Sequence, residues 1–148
     1  MNLPNTVPEG DWIRGISIKQ PHTTCILTGA KRIENRPKAW SWRGWVLLHA
    51  GGQIDKPALR VPLIGRTIRG RELVTGAVVG VARLTDCHQD PDDSPPCTEW
   101  AQPGAWHLVL ADVQELALPI PIGGQLGPWK PSPELLAQVL QQLPHLRP

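Results

Sequence analysis

The sequence predicts a small α+β fold, a barrel of five or six β-strands with two or three short helices. Strand-length apolar runs recur along the chain, separated by segments rich in glycine, proline or polar residues. Fewer segments carry the apolar spacing of a helix. Strands and helices do not alternate regularly, which argues against a parallel sheet with crossover helices. The 148 residues suit one domain with its own core.

The first elements follow from local signals. Residues 1–12 are mostly polar and are predicted to form a flexible arm that precedes a single domain at 13–148. Residues 13–19 alternate in polarity and predict a strand. A helix then begins at Pro21, where proline suits the first turn, and ends at Gly29, which suits the left-handed position after a helix. His22, with Cys25 and Ile26, is assigned to the inner face of this helix.

Two strands are predicted in the middle of the chain. Residues 31–36 form a short strand that Pro37 stops, and residues 44–50 form an apolar run expected to be buried on both faces. Between them lies a basic loop with two tryptophans. Asp55-Lys56-Pro57 can cap a short helix that Pro62 limits, and the basic segment that follows has no assigned structure.

The second half contains the remaining strands and a C-terminal helix. Residues 72–85 predict a long strand, and the acidic, proline-rich residues 86–97 predict a surface loop. Two further strands are predicted at 106–110 and 113–118. Ser132-Pro133 caps a last helix that carries an apolar stripe.

The net charge of +2 conceals a strong asymmetry along the chain. Residues 14–71 contain twelve Lys or Arg and two acidic residues, whereas residues 72–148 contain three basic and nine acidic residues. This pattern favours a polyanionic partner. A solvated basic face without a partner is the alternative, because folding can intermix the two halves.

Cysteine usage and apolar content indicate a cytoplasmic protein. Three cysteines do not form a disulfide framework and fit a reducing compartment. Cys87-His88 with Cys97 could indicate zinc, but no C-x-x-C pair is present, so no metal is expected. No signal peptide or membrane span is visible. No phosphate-binding loop or dinucleotide fingerprint is present, and no cofactor is expected.

The segment from Gly29 to Arg36 is the main candidate site, with the pattern G-x-K-x-x-E-x-R. Glu34 and Arg36 share one face of a strand, and Lys31 joins them only if it lies in the turn after Gly29. The cations suit phosphate or the carbonyl edge of a base. Glu34 suits an exocyclic amine, or proton transfer if buried. The alternative is a surface ion pair of little consequence.

Trp40, Trp42 and Arg43 extend this candidate site. Aromatic rings interleaved with cations suit single-stranded nucleic acid, because bases stack on the rings and phosphates pair with the cations. The alternative is that the rings cover the core, since the chain has seven Trp and neither Tyr nor Phe. His49 ends the buried strand and is expected to be a hydrogen-bonded core residue.

The order of these motifs resembles the ASCH (activating signal cointegrator homology) domain. The resemblance rests first on Ile16-Ser17-Ile18-Lys19-Gln20-Pro21, Gly29-x-Lys31-x-x-Glu34-x-Arg36, Arg43-Gly44 and Leu48-His49-Ala50. Similar matches follow at Gly76-x-Val78-x-Gly80, Trp106-His107-Leu108 and Gly124-x-x-Gly127-x-Trp129. Together these motifs span most of the chain, and their order is more specific than any one of them.

The resemblance implies a PUA-like β-barrel with a cleft beside the first helix, so that 13–148 would be a single ASCH-like domain. It places Lys31, Glu34 and Arg36 in that cleft. It implies binding of RNA, a nucleotide or a modified nucleoside, with single-stranded DNA as a further possibility.

The resemblance also implies a second function class. Some ASCH proteins are amidohydrolases that remove the acetyl group from N4-acetylcytidine, and others have ribonuclease activity. Lys31 would then activate a nucleophile or water, and Glu34 would move protons. The amidohydrolase branch has Thr where this chain has Glu34, and Asp86 is the nearest candidate for its further catalytic Glu. Family members often have an aromatic residue where this chain has His22. A protein-interaction module, docking through the acidic half, is the third class.

Overall fold

The computed structural model describes residues 7–148, and these residues form a small α+β domain with a five-stranded mixed sheet and three α-helices. The strands are β1 (Ile13–Gln20), β2 (Ile33–Arg36), β3 (Gly44–Ile54), β4 (Ala77–His88) and β5 (Trp106–Pro121). The helices are α1 (His22–Leu27), α2 (Pro62–Thr67) and α3 (Pro133–Gln142), with a 3-10 turn at Pro57–Arg60. The predicted α+β class is confirmed.

The sheet is open. Its strand order is β1-β3-β4-β5-β2, with β1 and β3 parallel and all other neighbours antiparallel. Across residues 7–148, no backbone pairing joins the edge strands β1 and β2, so hydrogen bonding does not close the predicted barrel. Arg36 Nη2 of β2 nevertheless donates to the Ser17 carbonyl of β1 at 2.9 Å. The two edges therefore face each other across a gap that side chains bridge.

Both faces of the sheet are covered, as β3 shows. Val46, Leu48 and Ala50 join the apolar cluster that also contains Ile26 of α1. Leu47 points the other way, into the cluster that contains the apolar stripe of α3. The predicted burial of this strand on both faces is confirmed. His49 is also fully buried, and its Nε2 donates to the Ile122 carbonyl at 2.6 Å.

Local signals place two helix ends correctly. Gly29 follows α1 with a φ of +85°, a conformation that glycine adopts without strain. Ser132 Oγ accepts from the Leu135 backbone N–H at 3.1 Å and caps α3. No helix within residues 7–148 is long and apolar enough to cross a membrane.

Several element boundaries differ from the prediction. The two strands expected at 106–118 are one strand, β5, because Asp112, with a φ of +52°, coincides with a register shift that bends the strand without ending it. β4 begins and ends later than predicted, so residues 86–88 belong to the sheet rather than to a loop. Pro62 begins α2 instead of ending a helix, since proline fits a first turn.

The part of the predicted arm that the structure describes contacts the core. Val7 and Trp12 pack in the same apolar cluster as α3. Trp12 Nε1 donates to the Pro8 carbonyl at 2.9 Å, and the Trp12 carbonyl accepts from the Trp45 N–H at 3.0 Å. The first six residues of the predicted arm lie outside the described residues.

Candidate functional site

The gap between β1 and β2 opens into a cleft with two adjoining lobes. The polar lobe has a volume of about 440 Å³ and is lined by Ser17, Ile18, Lys19, His22, Lys31, Glu34, Asn35, Arg36, Pro37 and Gln102. The apolar lobe has a volume of about 360 Å³ and adds residues of the 3-10 turn, of α2 and of the segment around Trp100. The lobes share four residues, and each has a size common for small-molecule sites.

Lys31 lies in the turn between α1 and β2, the placement on which convergence of the three charged residues depends. After the left-handed Gly29, the Lys31 N–H returns to the Cys25 carbonyl at 3.2 Å. This turn brings Lys31 Nζ to 3.3 Å from Glu34 Oε1. Only 3% of the Lys31 side chain is exposed. The structure therefore brings Lys31 and Glu34 together inside the protein.

Arg36 completes the cluster on the other side of Glu34. Its Nη2 lies 3.2 Å from Glu34 Oε2 and also donates to the Ser17 carbonyl. The Glu34 side chain is 9% exposed, so the alternative of a surface ion pair is wrong. Burying these charges costs desolvation free energy, which makes them weak evidence for stability and a reason to consider function.

His22 and Asp55 extend the cluster and were missed by the sequence analysis. Lys31 Nζ lies 3.3 Å from His22 Nδ1, and His22 Nε2 lies 2.8 Å from Asp55 Oδ2. The hydrogen bond from His22 lowers the pKa of Asp55 below its usual value. Because the Asp55 carboxylate accepts and the Lys31 ammonium donates, His22 Nε2 donates to Asp55 and His22 Nδ1 accepts from Lys31.

A sequence signal for Asp55 existed. The basic half of the chain, residues 14–71, contains two acidic residues, and these are Glu34 and Asp55. Both lie in the cleft. His22 carried no comparable signal, because the helical spacing that placed it on the inner face of α1 also allows a half-buried position at the mouth of the cleft.

The remaining predicted residues lie outside the lining of the cleft. Trp40 is half-buried against the core, with the Arg36 guanidinium 5.8 Å from its ring centroid. Trp42 Nε1 donates to the Asp11 carbonyl at 3.1 Å, on the side of the N-terminal segment. The exposed Arg43 donates to the Trp40 and Trp42 carbonyls at 2.6 and 3.0 Å. Asp86 is exposed and pairs with His88.

One wall of the cleft comes from the β4–β5 loop, residues 89–105. Asn35 Nδ2 donates to the Trp100 carbonyl at 2.9 Å, and Asn35 Oδ1 accepts from the Gln102 N–H at 2.9 Å. Trp100 is 9% exposed and packs with Cys25 and Ile33. The sequence predicted only a surface loop for the first part of this segment, since nothing in its composition indicates what it docks against.

The polar lobe presents more donors than its own residues use. Arg36 Nε is buried and has no hydrogen-bond partner among residues 7–148. Gly15 pairs with Trp129 on the side of β1 away from β3, so Ser17, two residues later, directs its backbone groups the same way, into the cleft. Buried donors without partners indicate a place for a ligand or water. Two cations beside one carboxylate suit an anionic or polar planar ligand better than a metal ion.

Comparison with known proteins does not identify the chain: no protein-family model matches it, and no curated protein matches its sequence. The resemblance to the ASCH domain therefore stays a prediction.

Proposed function

We propose that this chain is an ASCH-like domain that binds RNA or a nucleotide by taking one nucleotide into the cleft between β1 and β2. The observation that carries the proposal is the buried cluster of Lys31, Glu34 and Arg36 facing a cavity of about 440 Å³. The facing edge strands also fit a PUA-like barrel whose last seam is bridged by side chains.

The hydrogen-bonding groups of the polar lobe match the edge of a base. Arg36 Nε and Lys31 Nζ would donate to base carbonyls or phosphate oxygens, and Glu34 would accept from an exocyclic amine. A base reaches this depth only when it is unstacked, which favours single-stranded RNA or an extruded nucleotide. Lys19 on the polar lobe would hold phosphate. Trp42 and Arg43 would contact the nucleic-acid strand outside the cleft.

The test is RNA binding, read by tryptophan fluorescence at several salt concentrations. Arg36→Met should weaken binding about 10-fold, within the range for losing an arginine contact to a base. Lys38→Met is the matched control, because Lys38 is exposed and lies outside the cleft lining. It should at most lower the salt dependence by about one phosphate contact. Equal affinity in wild type and Arg36→Met would contradict the proposal.

A hydrolase acting on modified nucleosides or RNA is the second candidate, favoured by the chain of contacts Asp55–His22–Lys31–Glu34. Such a chain can hold and move protons beside a bound substrate. Wild type and Lys31→Met decide between the candidates when each is incubated with RNA and with a nucleoside panel that includes N4-acetylcytidine. Turnover that Lys31→Met abolishes would establish the enzyme, whereas binding without turnover would reject it.

A further inference from the structure

A second cluster of polar side chains lies at the base of the β4–β5 loop. It consists of His88 at the end of β4, Asp90 and Cys97 in the loop, and His107 in β5. One ligand atom from each residue lies within 4.8 Å of all the others. The two histidines are paired in the β4–β5 register, so the sheet itself holds the two imidazoles side by side.

We propose that His88, Asp90, Cys97 and His107 form a structural zinc site. Zn–N distances of about 2.0–2.1 Å and a Zn–S distance of about 2.3 Å place tetrahedral ligand atoms about 3.3–3.6 Å apart. Asp90 Oδ1 lies 3.2 Å from His88 Nε2 and 3.6 Å from His107 Nδ1. Cys97 Sγ lies 3.7 Å from His107 Nδ1. These separations leave room for one ion at the centre.

The outer contacts of the cluster match those of metal-binding residues. His107 Nε2 lies 3.0 Å from the Gln102 carbonyl and must donate to it. His88 Nδ1 lies 3.3 Å from the Asp86 carboxylate. Asp90 Oδ2 accepts from the Cys97 N–H at 2.8 Å. Metal-bound histidines are oriented in this way by carboxylates and carbonyls.

The inner ring nitrogens of both histidines face the same oxygen of Asp90. His107 Nδ1, on the side of the ring away from the Gln102 carbonyl, faces Asp90 Oδ1 and Cys97 Sγ. His88 repeats the arrangement, with Nε2 facing the same Asp90 oxygen. One divalent ion between these atoms could take both ring nitrogens, the sulfur and the carboxylate oxygen as its ligands. A mixed nitrogen, sulfur and oxygen set selects zinc among the common divalent ions.

Four protein ligands make a closed site, which is structural rather than catalytic. The ion would hold together the two ends of the β4–β5 loop, residues 89–105. This loop carries Trp100 and Gln102, which Asn35 binds at the wall of the cleft. Zinc would therefore fix the wall of the cleft from outside, whatever ligand the cleft takes.

The test is metal binding by untagged protein. Zinc content after purification without chelators should be about one ion per chain. Co²⁺ added to metal-free protein should give a thiolate charge-transfer band and the visible bands of tetrahedral cobalt, and Zn²⁺ should displace it.

Three variants assign the site. Cys97→Ser should remove the charge-transfer band and weaken zinc binding by more than the 10- to 100-fold typical of outer contacts, whereas Asp86→Asn should weaken it by about that amount. Cys87→Ser is the matched control, since Cys87 is one residue from His88 and outside the cluster. It should bind like wild type.

Two results would overturn the proposal. One is a wild-type protein that binds no zinc, which would indicate protonated histidines in the cluster instead. The other is a Cys97→Ser protein that keeps the charge-transfer band. Because Cys97 is exposed, its replacement should leave the fold intact, and circular dichroism of the metal-free proteins would check this.

Discussion

Glu34 is the residue on which the charges of the cleft converge. One of its oxygens faces the Lys31 ammonium and the other faces the Arg36 guanidinium. Burial leaves little water to compensate for a lost partner. Lys31 depends most on this contact, because its other hydrogen-bond partner is a ring nitrogen of His22 rather than a carboxylate.

Replacing Glu34 with alanine should therefore destabilise the protein by about 3–5 kcal/mol, the cost of leaving a buried charge without its partner. The double variant Lys31→Met/Glu34→Gln removes the charges of Lys31 and Glu34 together. It should recover most of the lost free energy of unfolding. Urea denaturation measures both effects. Glu72→Ala, at an exposed position, should change stability by less than about 0.5 kcal/mol. A double variant as unstable as Glu34→Ala would contradict this account.

Asp55 gives the cleft a dependence on acid. Its pKa is lowered chiefly by the hydrogen bond from His22, so the ionised form stabilises the folded state. That stabilisation is complete above the unfolded pKa of about 3.9 and is lost as pH falls through the lower folded value. Because Asp55 is one-third exposed, we expect it to contribute less than about 1 kcal/mol.

Thermal unfolding of wild type and Asp55→Asn across pH 2 to 7 measures this contribution. The difference in melting temperature should stay constant above about pH 4 and shrink below it, as wild-type Asp55 becomes protonated. A difference that does not change with pH would show that the lost interaction does not depend on the charge of Asp55.

At the scale of elements, the β4–β5 loop has one anchor at the wall of the cleft and a second, proposed anchor at its base. Asn35 of β2 binds the backbone of Trp100 and Gln102, and the proposed zinc site lies at the base of the loop. A loop of this length without helix or strand needs such anchors, since its backbone forms few hydrogen bonds of its own.

Asn35→Ala should release the inner anchor. Loss of these two hydrogen bonds, one part-buried and one exposed, should raise amide hydrogen exchange about 10-fold or more for residues 98–105, at about 1 kcal/mol per bond. Gln89→Ala is the control, because Gln89 Nε2 binds the Gly104 carbonyl at an exposed place in the same loop. If both variants exchange alike, Asn35 does not anchor the loop.

At the scale of the molecule, the open sheet creates the candidate site. A fully paired barrel would hide the backbone groups of β1 and β2, whereas here the edges face each other and their seam is occupied by charged side chains. The two acidic residues of the basic half both lie at this seam. Most other charges of that half are exposed and remain available to steer a polyanion.

Local physical chemistry in the sequence determined the α+β class, the strand buried on both faces, the turn at Gly29 and the cap at Ser132. Each depends on residues close together in the chain, where periodicity and backbone preference act directly. It also singled out Lys31, Glu34 and Arg36, which a short turn and one strand bring together.

Only the tertiary structure decided which distant residues join them. His22 meets Asp55 across 33 residues, and Asn35 meets Trp100 across 65. The proposed zinc ligands are brought together by the β4–β5 register. The sequence therefore has no closely spaced cysteine pair that would indicate a zinc site. Such contacts depend on sheet register, which arises from the packing of the whole chain rather than from any local pattern.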